Sequence, residues 1–278
     1  MSGAIIFSDI LVIPDALGVK VAFEEKKGPQ LVPVQTQQAL DDLQWNIEKL
    51  SPVYEALRLT KSALPSETTL IGFAGAPWTL ACYVVQGGSD KDFQNVRAIA
   101  LRDPAFFSRL ISLLSDCVIK HAIEQVKAGA EMIQLFDSWS GVLSESEFHR
   151  WVIEPTKYIV REIKAACPHI PIIGFPRQAG SKYKSYAKET RVDAVNIDSS
   201  VSLEWARDTL QELCVVQGNL DPLVLSYDKD ATLAQAKHII AMLAKNNRFI
   251  FNLGHGILPH TPVENVLALC ELIRNSES

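Results

Sequence analysis

Apolar residues in this chain gather in short, nearly continuous runs separated by longer stretches with a three-to-four-residue rhythm. The runs are "AIIFS" (4–8), "TLIGFAG" (69–75), "EMIQLFDS" (131–138), "PIIGFP" (171–176), "DAVNID" (193–198), "CVVQGN" (214–219) and "FIFNLG" (249–254). Rich in β-branched and aromatic residues and bounded by turn formers, they predict seven strands. The stretches between them, such as 103–130 and 230–247, carry apolar residues on one helical face and begin with Asp-Pro or Asp caps, so they predict helices. Strands joined by crossover helices pair in parallel and are covered on both faces, which explains why they are apolar throughout instead of alternating.

An open doubly wound sheet and a closed (β/α)8 TIM-type barrel both accept this order. Nearly every run ends in polar residues or Gly: Ser8-Asp9, Gly75, Asp137-Ser138, Arg177, Asp198, Gly218-Asn219 and Gly254-His255. Barrel enzymes collect their chemistry at that C-terminal rim from many strands. No G-x-G-x-x-G follows the first run, so the α/β barrel is preferred. It is read as one barrel domain over 1–278 with seven of eight strands evident. The first βα unit is expected to be missing upstream of Met1, unless "LVIPD" (11–15) or "VKVAFEE" (19–25) closes the gap. A barrel short of a strand is expected to expose two sheet edges and part of its core, and so to associate.

Composition narrows the function. With 278 residues and 47% hydrophobic content the chain can bury a large core. Its 27 basic and 32 acidic residues are dispersed, without the basic block that tracks phosphates, so nucleic acid is not an expected partner. No run approaches the roughly 18 apolar residues that cross a bilayer, and no signal-type segment opens the chain, which predicts a cytoplasmic protein with no membrane partner. The five cysteines, at 82, 117, 167, 214 and 270, form no C-x-x-C pair and read as reduced core residues. The six histidines form no metal-ligand spacing; His255 and His260 stand apart with no third ligand nearby, so no metal is expected.

The chemistry concentrates in four segments. "FAGAPWTLACYVVQGG" (73–88) sets Gly and Pro after a strand, then a short helix bearing Tyr83. "QLFDSWSGVLS" (134–144) ends a strand in Asp137, Ser138 and Trp139; "GFPRQAG" (174–180) offers Arg177; "FNLGHGILPHTPVENV" (251–266) flanks His255 with glycines that permit a sharp turn. From residues alone each also has an ordinary reading: Asp9 and Ser138 as caps, Tyr83 as core, His255 as a satisfied structural imidazole.

Taken together, "FSDIL", "GFAGAPWTLACYVVQG", "QLFDSWSG", "GNLDP" and "FNLGHGI" resemble the uroporphyrinogen decarboxylase family from about Ala4 to Arg274. The resemblance implies a homodimeric (β/α)8 barrel that removes CO2 from the four acetate arms of uroporphyrinogen, leaving the methyl groups of coproporphyrinogen, with neither metal nor organic cofactor. By the same resemblance, Asp9 accepts hydrogen bonds from the pyrrole N–H groups and steadies the cation formed when a pyrrole carbon is protonated. Tyr83, Ser138 and His255 hold the acetate being lost, and Phe7 and Trp139 belong to walls that exclude water.

The family's "RQAGRYLPEYR", whose arginines hold acetate and propionate groups, has no counterpart upstream of Met1. "PRQAG" (176–180) shares four of its letters but follows a later strand and is read as a lookalike. Eight substrate carboxylates call for arginine's planar fork, so activity of the chain as written is expected to be impaired. Two other readings stay open: a zinc-dependent corrinoid or thiol methyltransferase on the same barrel, disfavoured by the absence of an H-x-C with a later Cys, and a non-catalytic porphyrinogen-binding paralogue.

Overall fold

A computed structural model describes residues 3–24 and 28–276. The strands in chain order are β1 (Gly3–Ile5), β2 (Val21–Glu24), β3 (Gly28–Leu31), β4 (Thr69–Gly75), β5 (Met132–Asp137), β6 (Ile172–Pro176), β7 (Ala194–Asn196), β8 (Val215–Leu220) and β9 (Phe249–Leu253). Seven form one wholly parallel sheet in the order β1-β4-β5-β6-β7-β8-β9. Each new strand adds beside the last and the order never reverses, which is the winding of a (β/α) barrel and not of a doubly wound sheet.

All seven expected runs therefore pair in one sheet, and neither weak run supplies an eighth strand. "LVIPD" winds into the helix Val12–Ala16, while part of "VKVAFEE" becomes β2, which pairs antiparallel with β3 in a separate hairpin. Its end at Glu25 lies outside the described residues. Among the described residues β1 pairs only with β4 and β9 only with β8, so the curled sheet keeps two edges. β1 also stops early. Where it ends, the Gln125 carboxamide takes over, accepting from the Phe73 N–H at 2.9 Å and donating to its C=O at 2.8 Å. A side chain thus replaces the missing ladder partner, as a buried backbone pair requires.

The crossover helices are fixed at their starts by the expected chemistry. Asp103 caps the helix Pro104–Lys127 by accepting from the Phe106 N–H at 3.0 Å, with proline in the first turn. The helix Lys229–Leu243 begins two residues earlier than the pattern predicted, because Asp228 and not Asp230 provides the cap, accepting from the Ala231 N–H. Apolar faces of these helices and the outer sides of the strands merge into one core running from Leu11 to Leu269. A second cluster around Leu50, Tyr54 and Leu70 packs the helix Ser51–Ala63 under the sheet edge.

Candidate active site at the strand C-terminal rim

Side-chain alternation decides which residues look into the barrel. Gln134 of β5 meets Gln217 of β8, and Gln217 donates to Asn196 of β7 at 2.6 Å, so these side chains share the inner face. Two residues further along β5, Phe136 lies on the same face and meets Phe73 and Phe175 edge-on at centroid distances of 5.7 and 6.1 Å. The inner face near the rim is therefore an aromatic arc across β4, β5 and β6. Odd positions 71 and 5 are register partners, so Ile5, Phe7 and Asp9 continue that face from β1.

Asp9 follows β1, half-buried, and one carboxylate oxygen accepts from the Leu11 N–H at 2.8 Å, which anchors the turn into the helix Val12–Ala16. The ordinary reading of Asp9 as a turn residue is thus fulfilled by one oxygen. Tyr83 comes from the helix Pro77–Gln86, started by proline directly after β4. Burial pushes its phenol pKa up, the Trp139 indole works against that, and the Asp9 charge adds to the rise, so Asp9 and Tyr83 sit within electrostatic reach of each other. Trp139 packs on Tyr83 at 6.3 Å and on Phe93 at 4.9 Å between centroids. Ser138, half-buried, precedes it on the inward side of the turn, because Asp137 points outward. Phe7 is 89% exposed: it lies over the open side of the sheet above a small cavity of about 190 Å3 and covers nothing.

Across the rim, His255 follows β9. The backbone here needs Gly254 for close approach, since a Cβ would run into the Ser199 backbone nitrogen; Gly256 meets no such constraint and has no positive φ. The expectation of two glycines enabling a sharp turn therefore holds for one, through proximity and not through φ. The His255 pKa is lowered by burial first and then by the Arg177 charge, while Asp198 opposes both. Arg177 was a rim residue in the sequence, yet its pairing with His255 was not legible, because the two lie 78 positions apart on non-adjacent strands.

Asp198, a strand end in the sequence, shows its hydrogen-bonding role only in the structure. It is 5% exposed and accepts from the Gln178 N–H at 2.8 Å, the Tyr183 hydroxyl at 2.9 Å, and both donors of Ser200. Burial raises its pKa, but these hydrogen bonds outweigh that and hold it below the usual range. It is a fixed negative charge within electrostatic reach of His255. The two halves of the rim are tied by backbone: the Arg177 N–H donates to the Asp137 C=O, and the Ser140 hydroxyl lies between the carbonyls of both residues.

The arrangement can receive an anionic, ring-shaped ligand on an aromatic floor, with a carboxylate and a phenol on one side and a guanidinium and an imidazole on the other. A concavity of about 510 Å3 lies elsewhere. Its walls include Arg191, Asp193, Cys214 and Arg248, which precede β7, β8 and β9, at the end of the sheet remote from these groups. Among the described residues, only His149, Glu154 and Glu189 group as metal ligands would, and they sit on the outer helical surface with no cysteine. The rim offers no His–Cys set of the kind a zinc methyltransferase uses.

Comparison with known proteins agrees with this geometry. The family model for uroporphyrinogen decarboxylase (URO-D) matches residues 1–276. Uroporphyrinogen decarboxylases from Rhodospirillum rubrum and Novosphingobium aromaticivorans are 48% and 45% identical to this chain over 98% of it, and the match covers 78% and 80% of their own lengths. Among solved structures, a methyltransferase from Methanosarcina mazei superposes with a TM-score of 0.80 at 16% identity, over 100% of this chain and 81% of that one. A B12-independent methionine synthase from Shewanella gives 0.59 at 12% identity, over 93% and 75% of the two chains. At such identities these last two establish shared fold alone. With nearly its whole length matched by the family model and almost half of its residues identical to a curated relative, the chain belongs to the uroporphyrinogen decarboxylase family.

Proposed function

We propose that the chain acts on uroporphyrinogen, converting acetate arms to methyl groups in tetrapyrrole biosynthesis, with Asp9, Tyr83 and His255 as catalytic residues and Phe7 and Ser138 joining them in binding. The observation that carries this reading is the gathering at the strand C-terminal ends of Asp9 with Tyr83 and of Arg177 with His255, each couple within electrostatic reach, beside the Phe73, Phe136 and Phe175 arc. A macrocycle laid on that arc would direct its pyrrole N–H groups to the free acceptor capacity of Asp9 and its peripheral carboxylates to the donors.

The reaction replaces a carboxylate by a proton. A proton added to a pyrrole carbon makes the ring an electron sink; the bond to the carboxylate carbon breaks towards the ring and CO2 leaves. The exocyclic methylene then takes a proton while the ring gives its own back. Asp9, as an anion beside the ring nitrogens, favours the intermediate cation over the neutral substrate. With its pKa lowered, His255 is mostly neutral at pH 7 and serves as a hydrogen-bond donor to an acetate without protonating it. Arg177 supplies a permanent positive charge for the same group of arms, so the rim is not without cations.

A further part of the reading is a single-domain protein that functions as a homodimer in the cytoplasm, the unpaired sheet edge with its exposed Ile5 and Phe7 supporting the association. No helix among the described residues is long and apolar enough to cross a membrane. Light scattering on the purified chain is expected to give a mass above that of one protomer; a monodisperse monomer at micromolar concentration refutes the association. The activity is tested by anaerobic incubation with uroporphyrinogen and chromatography of the oxidised porphyrins. Species with seven to four carboxylates support it. Tight binding without turnover supports the porphyrinogen-binding alternative.

A further inference from the structure

Asp137 is a rim carboxylate that the reaction as proposed does not use. It ends β5 with its side chain on the outer face, 2% exposed. One carboxylate oxygen accepts from the Thr79 hydroxyl at 2.6 Å; the other, Oδ2, is buried with no hydrogen-bond partner. Such a group is costly to leave unmatched in a core, so its presence calls for a reason.

The reason lies in what Thr79 does with its remaining capacity. Its oxygen accepts from the Trp139 N–H at 3.2 Å, and the Trp78 indole N–H donates to the Trp139 C=O at 3.0 Å. The peptide groups on both sides of Trp139 are thus pinned to the helix Pro77–Gln86. Thr79 and Tyr83 are four residues apart on that helix, one turn along the same face, and the Trp139 ring packs on Tyr83. A hydroxyl has one proton to give. While Asp137 is ionised it can only accept, so the Thr79 proton is committed to it and both Thr79 lone pairs stay open, one of them taken by the Trp139 N–H. A protonated Asp137 can itself donate to Thr79, and that one-way arrangement is lost.

We infer that Asp137 is a positioning residue: acting through Thr79 in its ionised form, it holds the Trp139 turn against Tyr83 and so sets the substrate-facing phenol. This rests on the proposed function, which gives Tyr83 its task. Burial raises the Asp137 pKa to about 7, against the lowering effect of Thr79, so the switch falls where it can be read. The titratable side chains that feel its charge are Cys82 on the Thr79 helix and Tyr186 on the helix Tyr183–Thr190. Both have raised pKa values and stay neutral across this range. The His255 pKa is lowered by its own burial and the Arg177 charge, not by Asp137.

The test uses the full chain and three variants, Asp137→Asn, Thr79→Val and Thr79→Ser, with two readouts over pH 5.5 to 8.5. Intrinsic tryptophan fluorescence is expected to show a transition with a midpoint near 7 in the unmodified chain, retained by Thr79→Ser and absent from Asp137→Asn. For uroporphyrinogen turnover, Asp137→Asn and Thr79→Val should raise KM or lower kcat by roughly five- to tenfold above pH 7 and flatten the profile there, while Thr79→Ser restores both. A wild-type fluorescence transition and pH–rate profile in Asp137→Asn overturns the inference, as does Thr79→Val behaving like the unmodified chain. Absence of turnover in every variant refutes the proposed function alone, since the fluorescence titration still decides the role of Asp137.

Discussion

At the residue scale, the site divides into groups that face the ligand and groups that hold them. Asp9 belongs to the first: one oxygen is spent on the Leu11 N–H and the rest of its capacity faces inward. Asp9→Ala is expected to lower single-turnover decarboxylation by about 10²- to 10³-fold, the scale of losing an electrostatic partner of the transition state. Turnover within threefold of the unmodified chain removes Asp9 from that role. Arg177 offers a check that needs no activity. Its charge helps hold the His255 pKa down, so Arg177→Gln should move the imidazole titration upward, measured by NMR. A titration unmoved or shifted down would mean that the two side chains do not interact. Asp9, Ser138 and His255 could be named from their motifs, because each ends or directly follows an apolar run, and Tyr83 from the Pro-started helix that follows one. The role of Asp198 could not be read that way: it depends on Gln178, Tyr183 and Ser200 converging on its carboxylate, and no local pattern announces that.

At the element scale, strands and helices follow from local rules, and tight packing between them sets what each tolerates. Gly174 in β6 shows this. Its outward side faces Tyr186, a fully buried phenol on the helix Tyr183–Thr190, and a Cβ at 174 would overlap the Tyr186 hydroxyl. Gly174→Ala is expected to destabilise the fold by roughly 1–3 kcal/mol, since neither strand nor helix can retreat from a close-packed core. Chemical denaturation measures it; a change below about 0.5 kcal/mol contradicts the packing read here. The fate of "VKVAFEE" carries the same lesson from the other side. Its alternation fits a strand, and it is one, but pairing with β3 a few residues on is entropically cheaper than reaching the edge of the large sheet.

At the scale of the whole molecule, two buried groups pull the pH dependence of stability in opposite directions. His121, 1% exposed and hydrogen-bonded to Tyr54, has its pKa lowered to about 4 by burial. Between about 4 and 6.5 the unfolded chain binds a proton there that the folded chain does not, so stability from this group is lost as pH falls through that window. Asp137 is the reverse. With a folded pKa of about 7 against 3.8, the folded chain holds the extra proton, and stability is lost as pH rises from about 4 to 7. Each is worth a few kcal/mol at most, and they offset one another below about 6.5. Removing one exposes the other: the melting temperature of Asp137→Asn relative to the unmodified chain should climb between pH 5 and 8. A constant difference would show that Asp137 does not carry a raised pKa. The cost is consistent with a group kept for function, since ionised Asp137 is the form that fixes the Trp139 turn.

The order of apolar runs and capped helices was sufficient, from sequence alone, to establish a parallel barrel-type sheet and the strand ends at which chemistry collects, because periodicity and caps act over a few residues. The five motifs were enough for the family. Tertiary structure decided the rest: that Gln125 and not another strand completes the β4 ladder, that the Arg177 charge reaches His255, and that Asp137 turns its back on the substrate to lock Thr79. Each of these depends on groups tens of residues apart being brought near one another, and on burial that sharpens their electrostatics, neither of which is encoded in any single stretch of the chain.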